Sequence, residues 1–239
     1  MQYVWLTVLM IWMTSYQGVI AQDVDPQTLE RVRGLLDNIF HDNDEFVRTS
    51  TEADFKVYHT QQHPRATIVM CCDSRVQTTA IDKTPKNDLF IVRNIGNQVH
   101  SNRGSVEYGV RHIHTPVLLI IGHVGCGAIK AAQGDYSAES EAIRKELDSL
   151  HVDKKTSGEQ AVIDNVHTQV TDALNDYADL VKEKKLFIFG AVYDFRNELK
   201  QGEGRLVLVN YNGEKDIKVI KETPILAGID NIKIGPAKG

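Results

Sequence analysis

Ala66-Thr67-Ile68-Val69-Met70-Cys71-Cys72-Asp73-Ser74-Arg75 joins an apolar run without polar alternation to two thiols, a carboxylate and a guanidinium. A second stretch, Pro116-Val117-Leu118-Leu119-Ile120-Ile121-Gly122-His123-Val124-Gly125-Cys126-Gly127, repeats the pattern, with an imidazole and a thiol at its end. Continuous Val, Ile and Leu runs of this length predict strands buried on both faces, as in a parallel sheet covered by helices. Ligands of such sheets collect beyond the carboxyl ends of the strands. The residues that end these two strands are therefore the candidates for chemistry.

Working outward, Leu89 to Val92 and Leu186 to Val192 predict two further strands. Helical patterns lie between them: Val106, Val110 and Ile113, then Val162, Val166, Val170 and Leu174 at four-residue steps. Strands alternating with helices predict an α/β fold with a mainly parallel central sheet flanked by helices. Asp25-Pro26, a capping residue before the proline favoured at the first helical position, opens an amphipathic helix carrying Leu29, Val32, Leu35, Leu36, Ile39 and Phe40. A polar connection rich in turn residues, Asp42 to Pro64, follows it. A helix on so long a tether can pack across a neighbouring subunit as readily as on its own sheet, and packing on a neighbouring subunit is the expectation. Near the other end, Asn212-Gly213 between two apolar segments of Arg205 to Ile220 predicts a hairpin.

The chain has 239 residues and a net charge of -5, without the basic stripe that a nucleic-acid backbone demands. Residues 1–21 contain no charged side chain, and the apolar stretch from Val4 to Met13 is too short to span a bilayer. With Val19 and Ala21 as small residues before a cleavage point, they predict a signal peptide, an exported protein without a membrane anchor once the leader is gone, and a single domain over 22–239. No linker, low-complexity tract or internal repeat divides that domain. Cys71, Cys72 and Cys126 are odd in number, so they form no complete disulfide framework. Metal coordination is the economical protection for such thiols.

Cys71, His123 and Cys126 make a Cys₂His set suited to one zinc ion. Three protein ligands leave a fourth position open, which distinguishes catalytic from structural zinc, and an open zinc makes hydroxide available near neutral pH. Asp73 and Arg75 are placed to pair, so that the carboxylate stays off the metal and accepts a hydrogen bond from the hydroxide. A plain structural salt bridge is the bland alternative. Strand alternation turns Cys72 away from Cys71, as a small buried hydrophobe and not a fourth ligand. His112 and His114 form an HxH pair explained by a helix end.

Cys71 to Arg75 as CxDSR, followed by His123 to Gly127 as HxxCG, resembles the β-class carbonic anhydrases. The resemblance extends through Phe90 to Asn97, Gly104 to Pro116, Asn165 to Val170 and Gly190 to Asp194. It implies reversible hydration of carbon dioxide to bicarbonate and a proton by a zinc-bound hydroxide. One zinc per chain would be held by Cys71, His123 and Cys126, with Asp73 and Arg75 as the family's dyad. It further implies the open, water-bearing type, with Gln62 as a substrate-binding amide and Phe90, Ile95 and Tyr108 as the apolar pocket wall. Active sites built at a dimer interface imply a homodimer or a higher even-numbered oligomer. Cys72 departs from the serine more familiar there, and Asn197 to Gly204 is an insertion. Carbon disulfide or carbonyl sulfide hydrolysis on the same scaffold remains an alternative, as does a non-catalytic zinc-stabilised assembly protein.

Overall fold

The structure is a computed structural model that describes residues 24–156 and 158–237. The predicted leader lies outside the described residues. Two compact units divide the chain, residues 1–60 and residues 61–239.

In the first unit, helix α1 spans Pro26–Thr49 and helix α2 spans Glu52–Lys56. Asp25 caps α1 as predicted, its carboxylate accepting from the backbone N–H groups of Gln27 and Thr28. The helix does not stop at Phe40 but runs nine residues further, and α2 takes up part of the expected loop. Asp42, Asn43 and Asp44 are polar without being breakers, and Phe46 and Val47 continue the apolar spacing. Val32, Leu35, Ile39 and Phe40 are exposed, and α1 buries no residue.

The second unit is built on a six-stranded sheet of β1 (Ala66–Cys71), β2 (Leu89–Asn94), β3 (Val117–His123), β4 (Phe187–Asp194), β5 (Arg205–Tyr211) and β6 (Lys233–Ile234). Its order is β2-β1-β3-β4-β5-β6. The first four strands run parallel, and β5 turns antiparallel to β4. Between the strands lie α3 (Arg103–Glu107), which continues as a π-helical turn over Tyr108–His112, α4 (Gly127–Gln133), α5 (Glu141–Asp148), α6 (Gly158–Asp176) and α7 (Ala178–Lys182). α8 (Ile217–Glu222) follows β5. Among the described residues, no helix is long and apolar enough to cross a membrane.

The four-residue spacing in α6 has its explanation in the core. Val162, Val166 and Val170 are buried against one sheet face, where Gly122 of β3 and Gly190 of β4 leave room for them. A Cβ on Gly190 would lie 2.6 Å from Val166 and 2.9 Å from Val170. Val106 and Val110 extend the same core toward Val69 and Val92. The opposite sheet face is less covered within this unit: Leu89, Ile91, Leu119 and Leu206 are only partly buried, and an apolar cavity of about 210 Å³ opens between Val117, Leu119, Phe189, Leu206, Leu208 and Ile232.

The predicted hairpin does not form. Asn212 and Gly213 do take the positive φ angles of a tight turn, at 47° and 89°. Beyond it, however, Asp216 caps α8 through the N–H of Lys218, and Ile220 is buried at helical spacing. The strand partners of β5 are instead β4, antiparallel, and β6, parallel.

Candidate metal centre

β1 and β3 are parallel neighbours, so their carboxyl ends place Cys71 and His123 side by side. Gly125 then adopts a φ of +62°, a left-handed turn that suits glycine, and Cys126 follows at the start of α4. The ligand atoms of Cys71, His123 and Cys126 all lie within 4.8 Å of one another, and all three residues are buried. His123 Nδ1 lies 3.1 Å from the Val124 carbonyl. A carbonyl only accepts, so Nδ1 carries the proton and Nε2 keeps its lone pair. That Nε2 is buried without a hydrogen-bond partner among the described residues, as a group reserved for a metal would be.

The two thiols are coupled. Cys71 is pushed down, first by the hydrogen bond from Cys126 and, against the cost of burial, by the N–H groups of Gly96 and Asp73. The same contact with Cys71, together with burial, pushes Cys126 up, opposed by the N–H groups of Ala128 and Ile129. Two thiols competing for one proton form a site that a soft cation completes. The donor set fits zinc: two sulfurs and one imidazole nitrogen, with backbone N–H groups behind the sulfurs.

Asp73 and Arg75 pair as predicted. Arg75 Nε donates to Asp73 Oδ1 at 2.9 Å and Nη2 to Oδ2 at 2.6 Å, while the Arg75 N–H adds a third bond to Oδ1 at 3.0 Å. These bonds from Arg75 hold the Asp73 carboxyl well below the usual carboxylate range. Asp73 Oδ2 lies 3.9 Å from His123 Nε2, beside the ligand cluster. Arg93 ties down the loop that carries the pair, donating to the carbonyls of Cys71, Asp73 and Val76. Cys72 is exposed, contrary to the expectation of burial. β1 ends at Cys71, so the side that alternation assigns to Cys72 has no sheet beneath it.

The predicted substrate residues fall in two places. Gln62 and Tyr108 line a surface cavity of about 470 Å³ with Gln61, His63, His112 and Ile113. Phe90 approaches from β2, its ring centroid 5.9 Å from that of Tyr108. None of the three candidate metal ligands lines this cavity. Ile95 packs elsewhere, against the cluster of Ala132, Leu147 and Leu150.

Sequence reasoning missed Phe195. It follows β4, and its ring stacks on His123 with centroids 6.2 Å apart and planes at 25°. The signal was available, because Phe195 also lies just past the carboxyl end of a parallel strand.

This α/β chain sets a buried Cys₂His cluster, able to hold one metal ion, at the ends of adjacent parallel strands with a carboxylate clamped beside it. Comparison with known proteins gives the family. The family described as carbonic anhydrase matches residues 66–200, more than half of the chain, which therefore belongs to the carbonic anhydrase family, in its β class. Gln62 lies just outside the matched residues. The carbonic anhydrase of Synechococcus elongatus is 26% identical over 219 residues, covering 81% of this chain and 77% of that protein. Carbonic anhydrase 2 of Mycobacterium tuberculosis is 40% identical over 72 residues, which span 30% of this chain and only 35% of that protein. The fold is shared with the solved β-carbonic anhydrase CcaA, at a TM-score of 0.60 and 21% identity over 78% of this chain and 89% of that one. A tetrameric β-carbonic anhydrase structure from Sordaria macrospora gives a TM-score of 0.55 at 20% identity, covering 77% of this chain and 95% of that one.

Proposed function

We propose that this chain catalyses the reversible hydration of carbon dioxide to bicarbonate and a proton, on one zinc ion held by Cys71, His123 and Cys126, and that it is of the open type. The observation that carries the reading is the buried Cys₂His cluster with Asp73 clamped beside it by Arg75. Zinc, when bound, supplies a Lewis acid that lowers the pKa of water to about 7, so that hydroxide is available at neutral pH.

The side chains supply orientation. Asp73 stays ionised because Arg75 stabilises its charge, so it would accept a hydrogen bond from a hydroxyl held at the Cys₂His cluster and orient it. Val124 fixes the His123 tautomer. The Gln62 amide donates to an oxygen of bicarbonate, and the apolar faces of Phe90 and Tyr108 favour an uncharged substrate, while Ile95, packed in a separate cluster, takes no part in that wall.

Two features support a homodimer or a higher even-numbered assembly. α1 exposes an apolar stripe, and one sheet face of the second unit keeps partly exposed Leu and Ile side chains. The cavity of Gln62 and Tyr108 lacks the metal ligands of its own chain, so it suits the metal centre of a second copy. Export with loss of residues 1–21 remains part of the proposal, resting on the leader pattern alone.

Stopped-flow hydration of carbon dioxide, with zinc measured on the same sample, tests the reading. Turnover that rises with bound zinc to one per chain is expected. A zinc-loaded, folded protein without hydration would overturn it.

A further inference from the structure

We infer that Phe195 is a positioning residue for the Asp73–Arg75 pair, its ring fixing the guanidinium that keeps the carboxylate off the metal position. The inference rests on Cys71, His123 and Cys126 being the metal ligands.

Arg75 is a long side chain from a loop, and its side chain is 49% exposed. Its contacts are few: the Asp73 carboxylate, the Gly125 carbonyl at 3.2 Å from Nη2, and the Phe195 ring, whose centroid is 4.9 Å from Cζ. The two bonds to Asp73 fix the partners relative to each other, not relative to the metal ligands. A tetrahedral ion with bonds of 2.0–2.1 Å separates two of its ligand atoms by about 3.4 Å. Asp73 Oδ2 is 3.9 Å from His123 Nε2, so a small rotation of the pair brings it to ligand distance. Two contacts outside the pair oppose that rotation, the Gly125 carbonyl that accepts from Nη2 and the Phe195 ring.

Phe195 is placed to do so because it touches both sides. It stacks on His123 and lies under Arg75. Its own backbone is held on the side that leads into the insertion. The Asp194 carboxylate is fully buried and accepts from the N–H groups of Arg196, Glu198 and Leu199, and the Asp194 carbonyl accepts from Gly204. The segment Asn197 to Gly204 thereby gains a purpose that its sequence did not disclose: it anchors the strand end from which Phe195 reaches the dyad. An aromatic face attracts a guanidinium, whereas an aliphatic side chain of similar bulk only fills the space.

That difference defines the test. Phe195→Leu, Phe195→Met and Phe195→Trp are prepared as full-length cobalt(II)-substituted proteins and titrated with azide, which reports access to the open metal position through the visible spectrum. The Leu and Met variants should load one cobalt per chain and melt within a few degrees of the parent. They should bind azide about tenfold more weakly, the scale of one cation–π contact, because the carboxylate now competes for the position. Phe195→Trp should bind it as the parent does. Adding Asp73→Asn to Phe195→Leu should restore azide binding, which a merely structural defect would not allow. In the zinc enzymes, kcat should fall about tenfold in the Leu variant with KM little changed.

Parental azide affinity in the Leu and Met variants overturns the inference. So does loss of cobalt or of the fold in both, which would make the ring a support for His123 alone, and so does failure of Asp73→Asn to rescue. If the parent protein itself takes up neither cobalt nor azide, the metal-site reading fails first and the inference falls with it.

Discussion

Cys126 is the proposed ligand whose replacement separates a metal site from a pair of buried thiols. A hydroxyl is a poor substitute for a soft thiolate donor, so Cys126→Ser should drop zinc from one per chain to a small fraction. Hydration should fall by more than the 10–100-fold typical of losing a hydrogen-bond partner behind a ligand. Metal analysis beside stopped-flow rates checks this, and full zinc occupancy at a near-parental rate would remove the assignment. Arg75 calls for a different comparison. Arg75→Ala should keep zinc, yet lower kcat/KM by about 100-fold as Asp73 turns to the metal, whereas Asp73→Asn should keep zinc and leave the position open to azide. If the pair only stiffens the loop, both variants melt early with normal turnover per folded molecule. The clustering of Cys71, His123 and Cys126 and the Asp73–Arg75 pair were legible in the sequence because thiols, an imidazole and a paired carboxylate declare their chemistry by type. Phe195 did not, since an aromatic side chain has the same identity in a core as beside a metal. Cys72 was misplaced because alternation says nothing about where the sheet ends.

Helix α6 is the element whose packing the sequence described best, through valines at four-residue steps. Their partners, Gly122 and Gly190, became meaningful only when the strands were seen to meet the helix at close range. Gly190→Ala should cost about 1–3 kcal/mol by overpacking, and Gly190→Ala with Val166→Ala should recover a good part of it. Urea melts of the two single variants and the double variant measure that coupling, and strict additivity would show that the close approach is unimportant. The same helix carries a pH-sensitive group. His167 is half-buried, its Nδ1 2.9 Å from Asn210 Nδ2, and burial first, then Lys215, push its pKa down from 6.5 to about 4. The unfolded chain therefore binds more protons between those values, and the contribution of His167 to stability is complete above pH 6.5 and fades as pH falls toward 4. Discounted for partial exposure, the loss is on the order of 1–2 kcal/mol. Subtracting the stability profile of His167→Gln from that of the parent isolates it from acid loss of metal, and a flat difference would contradict it. The hairpin was the element least legible. Asn212-Gly213 states that the chain turns but not whether a strand or a helix follows, and Asp216 as a helix cap decided it.

At the scale of the molecule, the proposed second copy accounts for the partly exposed sheet face of the second unit and for the separation of Gln62 and Tyr108 from the candidate metal ligands of their own chain. Closed two-fold symmetry is the commonest answer, and it carries a consequence that mixing can read. If each site takes its ligands from one chain and its Gln62 from the other, then Cys126→Ser and Gln62→Ala damage opposite halves of the site. Homodimers of either variant contain only defective sites. In a mixed dimer, one site combines the intact ligands of the Gln62→Ala chain with the intact Gln62 of the Cys126→Ser chain. Random reassociation of equal amounts makes half of the dimers mixed, so activity should return to about a quarter of the parental value. Light scattering establishes the assembly, and the recovered rate should vanish when the two variants are combined without dissociating the dimers first. No recovery from a fully reassociated mixture would place Gln62 and the zinc ligands of each working site on the same chain.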